Sequence, residues 1–500
     1  MPIHRHTRFA ADLPALPLEP GETKQQWIYR QIARAIDAGS LQPGDSVPST
    51  RALAARWEVS RGVVEVAFER LISEGYLVAA VGSGTSVSAA PPQRFLQARP
   101  VPVEKALVDG QGGRDPAARG DAAELPRPPS NPVRAGQPFI ARLPDVQGFN
   151  LHEWQTSVAR ASRELAPENL DDADPRGLLV LREEVCKHLA LSRGLRCEPQ
   201  GVMIVTGIRH AIDLCAQAAI SAGGCVALED PGYAGADAIF QLRGLQTVDI
   251  PLDDEGISMD ALGPSRVEMV YVTPAHQAPT GVAMSVRRRA ELLAWAETTG
   301  TWVLEDDYDS DFSYERAPWP ALKSQDQAGR VVFCGSFNKT LFPGLRIGYI
   351  VAPAALMPRL MEIRAATGRS NPVLDQLSMA EYMRSGALLR HLRKTRMAYK
   401  ARRDLVVQEL LAAGWPADDM QGLHAGFHFV LRLPPNTEED ALITRLGEAG
   451  IVVQSIRAFW RGKTPTPPPA LVIGYTALSD AQAKWAARQL AGEFHDRVGK

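Results

Sequence analysis

VVFCGSFNKTLFPGLRIGYIVAP, residues Val331–Pro353, decides the fold. An apolar strand, Val331-Val332-Phe333-Cys334, runs into Gly335-Ser336-Phe337-Asn338 and delivers Lys339. Arg346 follows seven residues later, just before a second apolar strand, Ile347-Gly348-Tyr349-Ile350-Val351. A lysine amine on a short Gly/Ser-flanked turn can condense with an aldehyde as a Schiff base. The planar donor fork of an arginine suits a phosphate. The pair therefore points to an aldehyde that also carries a phosphate.

Outward from this stretch, from about Pro144 onward, helical segments alternate with short apolar strands: GVMIVTG, GCVALEDPG, VEMVYVTP, TWVLEDDY, VVFCGS and RIGYIVAP. That alternation predicts an α/β layer with a mostly parallel sheet, in which ligands bind beyond the carboxyl ends of the strands. The strand ends carry the chemistry. In TWVLEDDYDSDF, residues two apart share a face, so Asp306 and Tyr308 point together while Glu305 and Asp307 point the other way. A carboxylate beside a pyridine nitrogen keeps it protonated and makes the ring an electron sink, and a phenol can hold the 3′-oxygen. VTGIRHAIDLCAQA runs through Thr206-Gly207-Ile208-Arg209 into a helix whose first N–H groups offer a phosphate seat, with Ser336 and Arg346 closing it. Tyr233, after a Pro-Gly turn in CVALEDPGYAG, can stack on a ring. TPAHQAPTG, which contains His276, is a further strand-end loop on the same edge. Taken jointly, these residues call for pyridoxal 5′-phosphate (PLP).

Composition fits an ordinary water-soluble chain long enough for more than one domain: 500 residues, 45% hydrophobic, 22% charged, formal net charge −2. Any basic surface must therefore be local. The five cysteines (Cys186, Cys197, Cys215, Cys225, Cys334) include no CxxC pair, which argues against a metal site or a disulfide frame. The start, MPIHRHTRFAADLPALPLEP, has no apolar signal core, and no run approaches a membrane span, so a cytoplasmic protein is expected.

Ahead of the α/β zone lies a different one. Trp27-Ile28-Tyr29, Ile32 and Ile36 recur at helical spacing. Ser49 can cap a short helix bearing Leu53, Ala54 and Trp57, and Ser60 a second helix with Val64, Phe68, Leu71 and Ile72 on its buried stripe. A hairpin with Gly82 and Gly84 follows. This is the pattern of a winged helix-turn-helix over residues 21–88. Ser60, Arg61 and Gly62 would face the major groove, with Ser49, Arg51, Gly84 and Thr85 near the backbone. Between Gly21 and Ser88 there are seven Lys/Arg and seven Asp/Glu, so contacts should be confined to the helix's first turn; the alternative is a protein-docking module. Residues 89–143, rich in Pro, Ala, Arg and Gly, read as a flexible linker. From Arg384 to Arg403 there are eight Lys/Arg and no Asp/Glu, which is either a second DNA surface or a solvated helix face.

QPGDSVPSTRALA, VSRGVVEVAFERL and SEGYLVAAVGSGTSV resemble the GntR-type winged helix. DPRGLLVLRE, EDPGYAGA, VTPAHQAPTGVAMS, EDDYDSDF and GSFNKTLFPGLRIGY resemble fold-type I, aspartate-aminotransferase-like PLP enzymes. Together they identify the chain as similar to the MocR/GabR family of PLP-dependent transcriptional regulators. The resemblance implies a fold-type I domain over 144–500, with a smaller carboxyl-terminal α+β subdomain from about residue 371. It also implies Lys339 as the PLP aldimine lysine, Asp306 on the pyridine nitrogen, Tyr308 on the 3′-oxygen, Arg346 on the phosphate and Tyr233 at the ring. A head-to-tail, domain-swapped homodimer is implied too, and Arg457, in GIVVQSIRAFW, falls about where the family binds an effector carboxylate. Relative to the family pattern, Ile208-Arg209 replaces Ala-Gln, Asn338 replaces Ser or Thr, Asp172-Ala173 replaces Tyr-Gly, and Val63 replaces Thr. The implied function is a DNA-binding regulator that senses PLP, an amine or an amino acid through Lys339. The rival reading is an active aminotransferase with an accessory DNA-binding module.

Overall fold

The computed structural model describes residues 17–80, 84–89, 138–169, 174–314, 318–368 and 371–498. The chain falls into two units, Met1–Arg119 and Gly120–Lys500. In the first, Thr23 opens helix α1 (Lys24–Asp37) with a capping box: Gln26 N–H donates to its hydroxyl at 3.3 Å, and its own N–H donates to the Gln26 side chain at 2.9 Å. Ile28, Ile32 and Ile36 are buried at the expected four-residue spacing. Ser49 caps α2 (Thr50–Arg56) by accepting from Ala52 N–H at 3.3 Å. Helix α3 (Arg61–Ser73) buries Val64, Phe68 and Leu71, but Ile72 is 37% exposed, contrary to expectation. The helix ends one residue later, at Ser73, leaving Ile72 at the margin of the packed layer. Strands β1 (Ser46–Val47), β2 (Leu77–Ala80) and β3 (Gly84–Val87) form an antiparallel sheet in the order β1-β3-β2. This is a winged helix-turn-helix. Gly82 lies outside the described residues.

In the second unit, β4 (Val202–Val205), β5 (Cys225–Asp230), β6 (Gln246–Asp253), β7 (Gly256–Ile257), β8 (Met269–Val272), β9 (Trp302–Asp307), β10 (Val331–Ser336) and β11 (Gly348–Val351) make one sheet in the order β4-β11-β10-β9-β8-β5-β6-β7. All run parallel except β11 and the edge strand β7. Apart from β6, the interior strands are apolar along most of their length because both faces are covered, with carboxylates only at the carboxyl ends of β5 and β9. Val202, Ile204, Phe333 and Tyr349 enter one core, while Met203, Val205, Val332, Cys334 and Ile350 enter the other. That two-residue alternation is the strand period. Burying a side chain such as Phe333 contributes roughly 1.5–3 kcal/mol. Strand β6 was not anticipated: QTVDIPLD interleaves polar residues, and most of its positions are only half-buried.

A second sheet, of four strands, lies toward the carboxyl terminus: β12 (Met420–Gln421), β13 (His428–Arg432), β14 (Gln454–Ser455) and β15 (Ala470–Gly474), in the order β12-β13-β15-β14. Residues 139–143, expected in the linker, are instead built into this unit. Phe139 is fully buried and bridges Gly474, and Ile140 and Ala141 are buried beside it. A Phe-Ile-Ala run gains more from burial than an extended linker can offer it. Among the described residues no helix is long and apolar enough to cross a membrane.

Candidate functional site

One edge of the large sheet gathers the expected residues. The carboxyl ends of β4, β5, β8, β9 and β10 lead respectively to Gly207, Tyr233, His276, Tyr308 and Lys339. Antiparallel β11 begins on that edge directly after Arg346 and Ile347, with Gly348 in register between Val205 and Ser336. Gly335 lies beside Asp307, so the lysine turn and the carboxylate run are neighbours.

Lys339 stands in a single helical turn, Phe337–Thr340, and its Nζ donates to the carbonyl of Arg142 at 2.6 Å. Burial, with the nearby guanidinium groups of Arg142 and Arg209, lowers its pKa to about 8. A fraction of the amine is thus neutral, and nucleophilic, near neutral pH.

Asp306 is buried and accepts from the Tyr271 hydroxyl at 2.5 Å through Oδ2. Its Oδ1 has no hydrogen-bond partner among the described residues. Burial raises its pKa to about 7, against the lowering effect of the Tyr271 bond. A buried, unpartnered carboxylate oxygen needs an N–H donor, and a pyridinium supplies one. Its neighbours in β9 face away: Glu305 accepts from the N–H groups of Leu322 (2.7 Å) and Lys323 (2.9 Å), and Asp307 from Arg193 at 2.5 Å. Tyr308 lies 3.2 Å from His276 Nδ1, which bonds Asp309 at 2.8 Å. Burial and the Asp309 carboxylate push the Tyr308 phenol well above its usual range, so it stays protonated. Behind this group His428 Nε2 donates to Pro279 O at 2.9 Å, and burial holds that ring neutral.

The helix Ile208–Ala219 begins at Gly207 with no side-chain cap, so its first N–H groups are available to an anion. Gly207 is required there: its φ is +137°, and a Cβ would lie 2.5 Å from Asn338 Nδ2. Asn338 explains its own departure from the family pattern. Its amide donates to Thr206 O at 3.1 Å and accepts from Ile347 N–H at 3.0 Å, joining the ends of β4 and β11. A serine or threonine is too short to bridge both. Ser336 Oγ accepts from Asn338 N–H at 3.2 Å. Arg346 takes a left-handed conformation (φ +55°), its carbonyl held by Asn371 at 2.9 Å and its side chain exposed at the same edge. Arg209 Nε donates to the Tyr233 hydroxyl at 3.0 Å, so this substitution orients the aromatic residue. Asp172 and Ala173 lie outside the described residues.

Arg457 is paired with Glu439 at 2.9 Å, a buried carboxylate that also accepts from Ser455 (2.8 Å) and Ala470 N–H (3.0 Å). The basic run from Arg384 to Arg403 is a solvated helix face in part: Arg384, Arg390, Arg393, Lys394 and Lys400 are exposed, and several of its cations are paired. Arg384 pairs with Glu381 and Glu164, Arg390 with Glu153, Arg402 with Asp145, and Arg403 bonds Asp404 and the Leu423 carbonyl. Glu164, Glu153 and Asp145, distant in sequence, pair with three of its eight cations, which a linear count of charge does not reveal.

In the winged helix, Arg51, Ser60, Arg61, Gly62 and Gly84 are exposed and Thr85 half-buried. Ser60 sits at the amino end of α3 without capping it, leaving its hydroxyl to other partners. Arg61 pairs with Glu65 at 2.8 Å, so the recognition helix holds its own first-turn cation. Val63 is half-buried and packs against the core of this unit.

Sequence reading missed Tyr271, Asp309 and Arg142. Tyr271 sits within an apolar strand, where a tyrosine ordinarily reads as core. Arg142 falls within residues 89–143, whose composition reads as linker, and only the preceding Phe-Ile-Ala run signals otherwise.

Similarity to known proteins follows the same division. The family model described as bacterial regulatory proteins, gntR family, matches residues 24–87. That described as aminotransferase class I and II matches residues 147–490. The HTH-type transcriptional regulator TauR of Rhodobacter capsulatus is 34% identical over 441 residues, 87% of this chain and 89% of its own length. The HTH-type pyridoxine biosynthesis transcriptional regulator PdxR of Corynebacterium glutamicum is 31% identical over 483 residues, 96% and 98% of the two chains. Among solved structures, LysN, the α-aminoadipate aminotransferase of Thermus thermophilus complexed with N-(5′-phosphopyridoxyl)-L-leucine, superposes with a TM-score of 0.65 at 25% identity, covering 73% of this chain and 94% of that one.

Proposed function

The chain belongs to the HTH-type transcriptional regulators in which a GntR helix-turn-helix precedes an aminotransferase class I and II domain, and we propose that it holds PLP at Lys339 and adjusts its grip on DNA to PLP, an amine or an amino acid. One observation carries the reading. A lysine of lowered pKa, a buried carboxylate oxygen without a donor and an uncapped helix start share one sheet edge.

Bound PLP supplies an aldehyde that condenses reversibly with primary amines. The chain's residues supply the rest. Asp306 Oδ1 accepts the ring N–H, and Tyr271 orients that carboxylate. Tyr308, steadied by His276, donates toward the 3′-oxygen. Tyr233 covers the ring face. The N–H groups at Ile208 and Arg209, with Ser336 and Arg346, hold the phosphate. Ser60, Arg61, Gly62 and Arg51 meet the DNA, with Ser49, Gly84 and Thr85 beside the backbone, and a head-to-tail homodimer pairs two such modules. The name of one relative, for pyridoxine biosynthesis, makes PLP itself a signal to test first.

The test is an absorption spectrum of the full chain with added PLP, followed by DNA footprinting of the region upstream of its own gene with and without PLP and amines. A visible band absent from Lys339→Ala, and a footprint that shifts with PLP or an amine, support the reading. Absence of the band, or a footprint indifferent to both, sinks it. The intact lysine and carboxylate also suit group transfer, so sustained turnover of an amino acid with a keto acid would favour an aminotransferase instead.

A further inference from the structure

Arg142 lies in the segment that packs beside Gly474, and it is half-buried. Its φ is +64°, a left-handed conformation that non-glycine residues adopt mainly where function or tight packing demands it. Its two ends address the same site. The carbonyl accepts from Lys339 Nζ at 2.6 Å, and the guanidinium lies 5.6 Å from the ring centre of Tyr233 and 5.1 Å from that of Phe459. No carboxylate among the described residues pairs with it. Its charge is felt by Lys339, Tyr308 and His428, which places it within the cluster rather than on the outer surface. A half-buried guanidinium among aromatic rings and other cations lacks the anion such a charge ordinarily keeps. Arg457, by contrast, already has Glu439.

We propose that Arg142 recognises the carboxylate of an amino-acid effector whose amine engages the Lys339 site. The inference rests on the PLP reading above and adds the ligand class: an amine that carries a carboxylate, gripped by the planar fork. The phosphate seat of that reading is made by other groups, the first N–H groups of the helix Ile208–Ala219 with Ser336 and Arg346, so Arg142 is assigned to the effector rather than the cofactor. Phe459 and Tyr233 form the walls that keep water from the ion pair.

The test uses the PLP-loaded full chain, titrated by change in its visible absorption. Alanine and β-alanine are compared with ethylamine, and 4-aminobutyrate with propylamine, so that each pair differs by the carboxylate alone. In the wild type at least one amino acid should bind about tenfold or more tightly than its carboxylate-free counterpart. Arg142→Gly relaxes the backbone and keeps the carbonyl, and should abolish that preference. Arg142→Lys keeps the charge without the fork and should restore only part of it. The visible band itself checks that each variant folds and is loaded. No carboxylate preference in the wild type overturns the proposal, as does a preference that survives Arg142→Gly but vanishes in Arg457→Ala. Weakened PLP binding in Arg142→Gly with the preference intact also overturns it, assigning the residue to the cofactor. A wild type without any visible band fails the PLP reading instead, and the effector assignment falls with it.

Discussion

Arg61 opens the 13-residue helix α3 and Lys339 stands in a single helical turn, and the molecule holds these two basic side chains in opposite ways. Arg61 is 65% exposed at its side chain and pairs with Glu65, four residues on in the same helix. Lys339 is held by the carbonyl of Arg142, 197 positions earlier, at a sheet edge. In water the first pair is weak and easily exchanged for phosphate. In the interior, charge is costly, and the second amine responds by shifting its pKa. A surface cation can thus be placed by local sequence, whereas a lysine at the sheet edge takes its partner from a distant segment.

Several substitutions test this contrast. Lys339→Ala should remove the PLP visible band entirely while leaving the melting of the winged helix unchanged; retention of the band breaks the comparison at its centre. Asp306→Ala removes the acceptor and should weaken PLP binding by about 10- to 100-fold, measured by titration of the band. Asn338→Ala leaves Thr206 O and Ile347 N–H without their shared partner and should destabilise the second unit by about 1–3 kcal/mol in denaturant unfolding. The rate of PLP capture should rise with pH as the Lys339 amine loses its proton, by about fivefold between pH 7 and 8, and level off above its pKa of about 8. Stopped-flow absorbance at several pH values would show a rise continuing beyond pH 10 if the lysine were instead unperturbed. Smallest is the surface effect. Arg61→Ala should weaken DNA binding by about fivefold or less and reduce the salt slope by about 1, while Glu65→Ala should strengthen binding by freeing Arg61. Anisotropy titrations across salt concentrations separate these outcomes, and equal effects from both substitutions would mean that the pair never opens onto DNA.

Much of the sheet was legible in the sequence because most of its interior strands are apolar on both faces, and lysine, carboxylate and phosphate seat all fall at strand ends. The structure brings Lys339, Asp306, Tyr308, Gly207, Tyr233 and His276 to one edge through β-sheet register. Strand β6, half-buried and interrupted by polar residues, was not legible. Neither was the fate of the basic run from Arg384 to Arg403, because its partners Glu153, Glu164 and Asp145 sit more than two hundred residues earlier. The part played by Tyr271 was equally hidden, since a hydroxyl in an apolar strand gives no sign of what lies across the sheet.

The sequence by itself determined which chemistry this chain can hold. Strand periodicity, turn residues and the order of Lys339 and Arg346 are local properties that no packing could reverse. Only the tertiary structure decided how that chemistry is tuned. It half-buried Lys339 against the Arg142 carbonyl, left one oxygen of Asp306 without a donor, bound Arg457 to Glu439 and set Arg142 among aromatic rings. Those outcomes depend on dielectric and on partners brought together across the chain, and neither is written in any single stretch of residues.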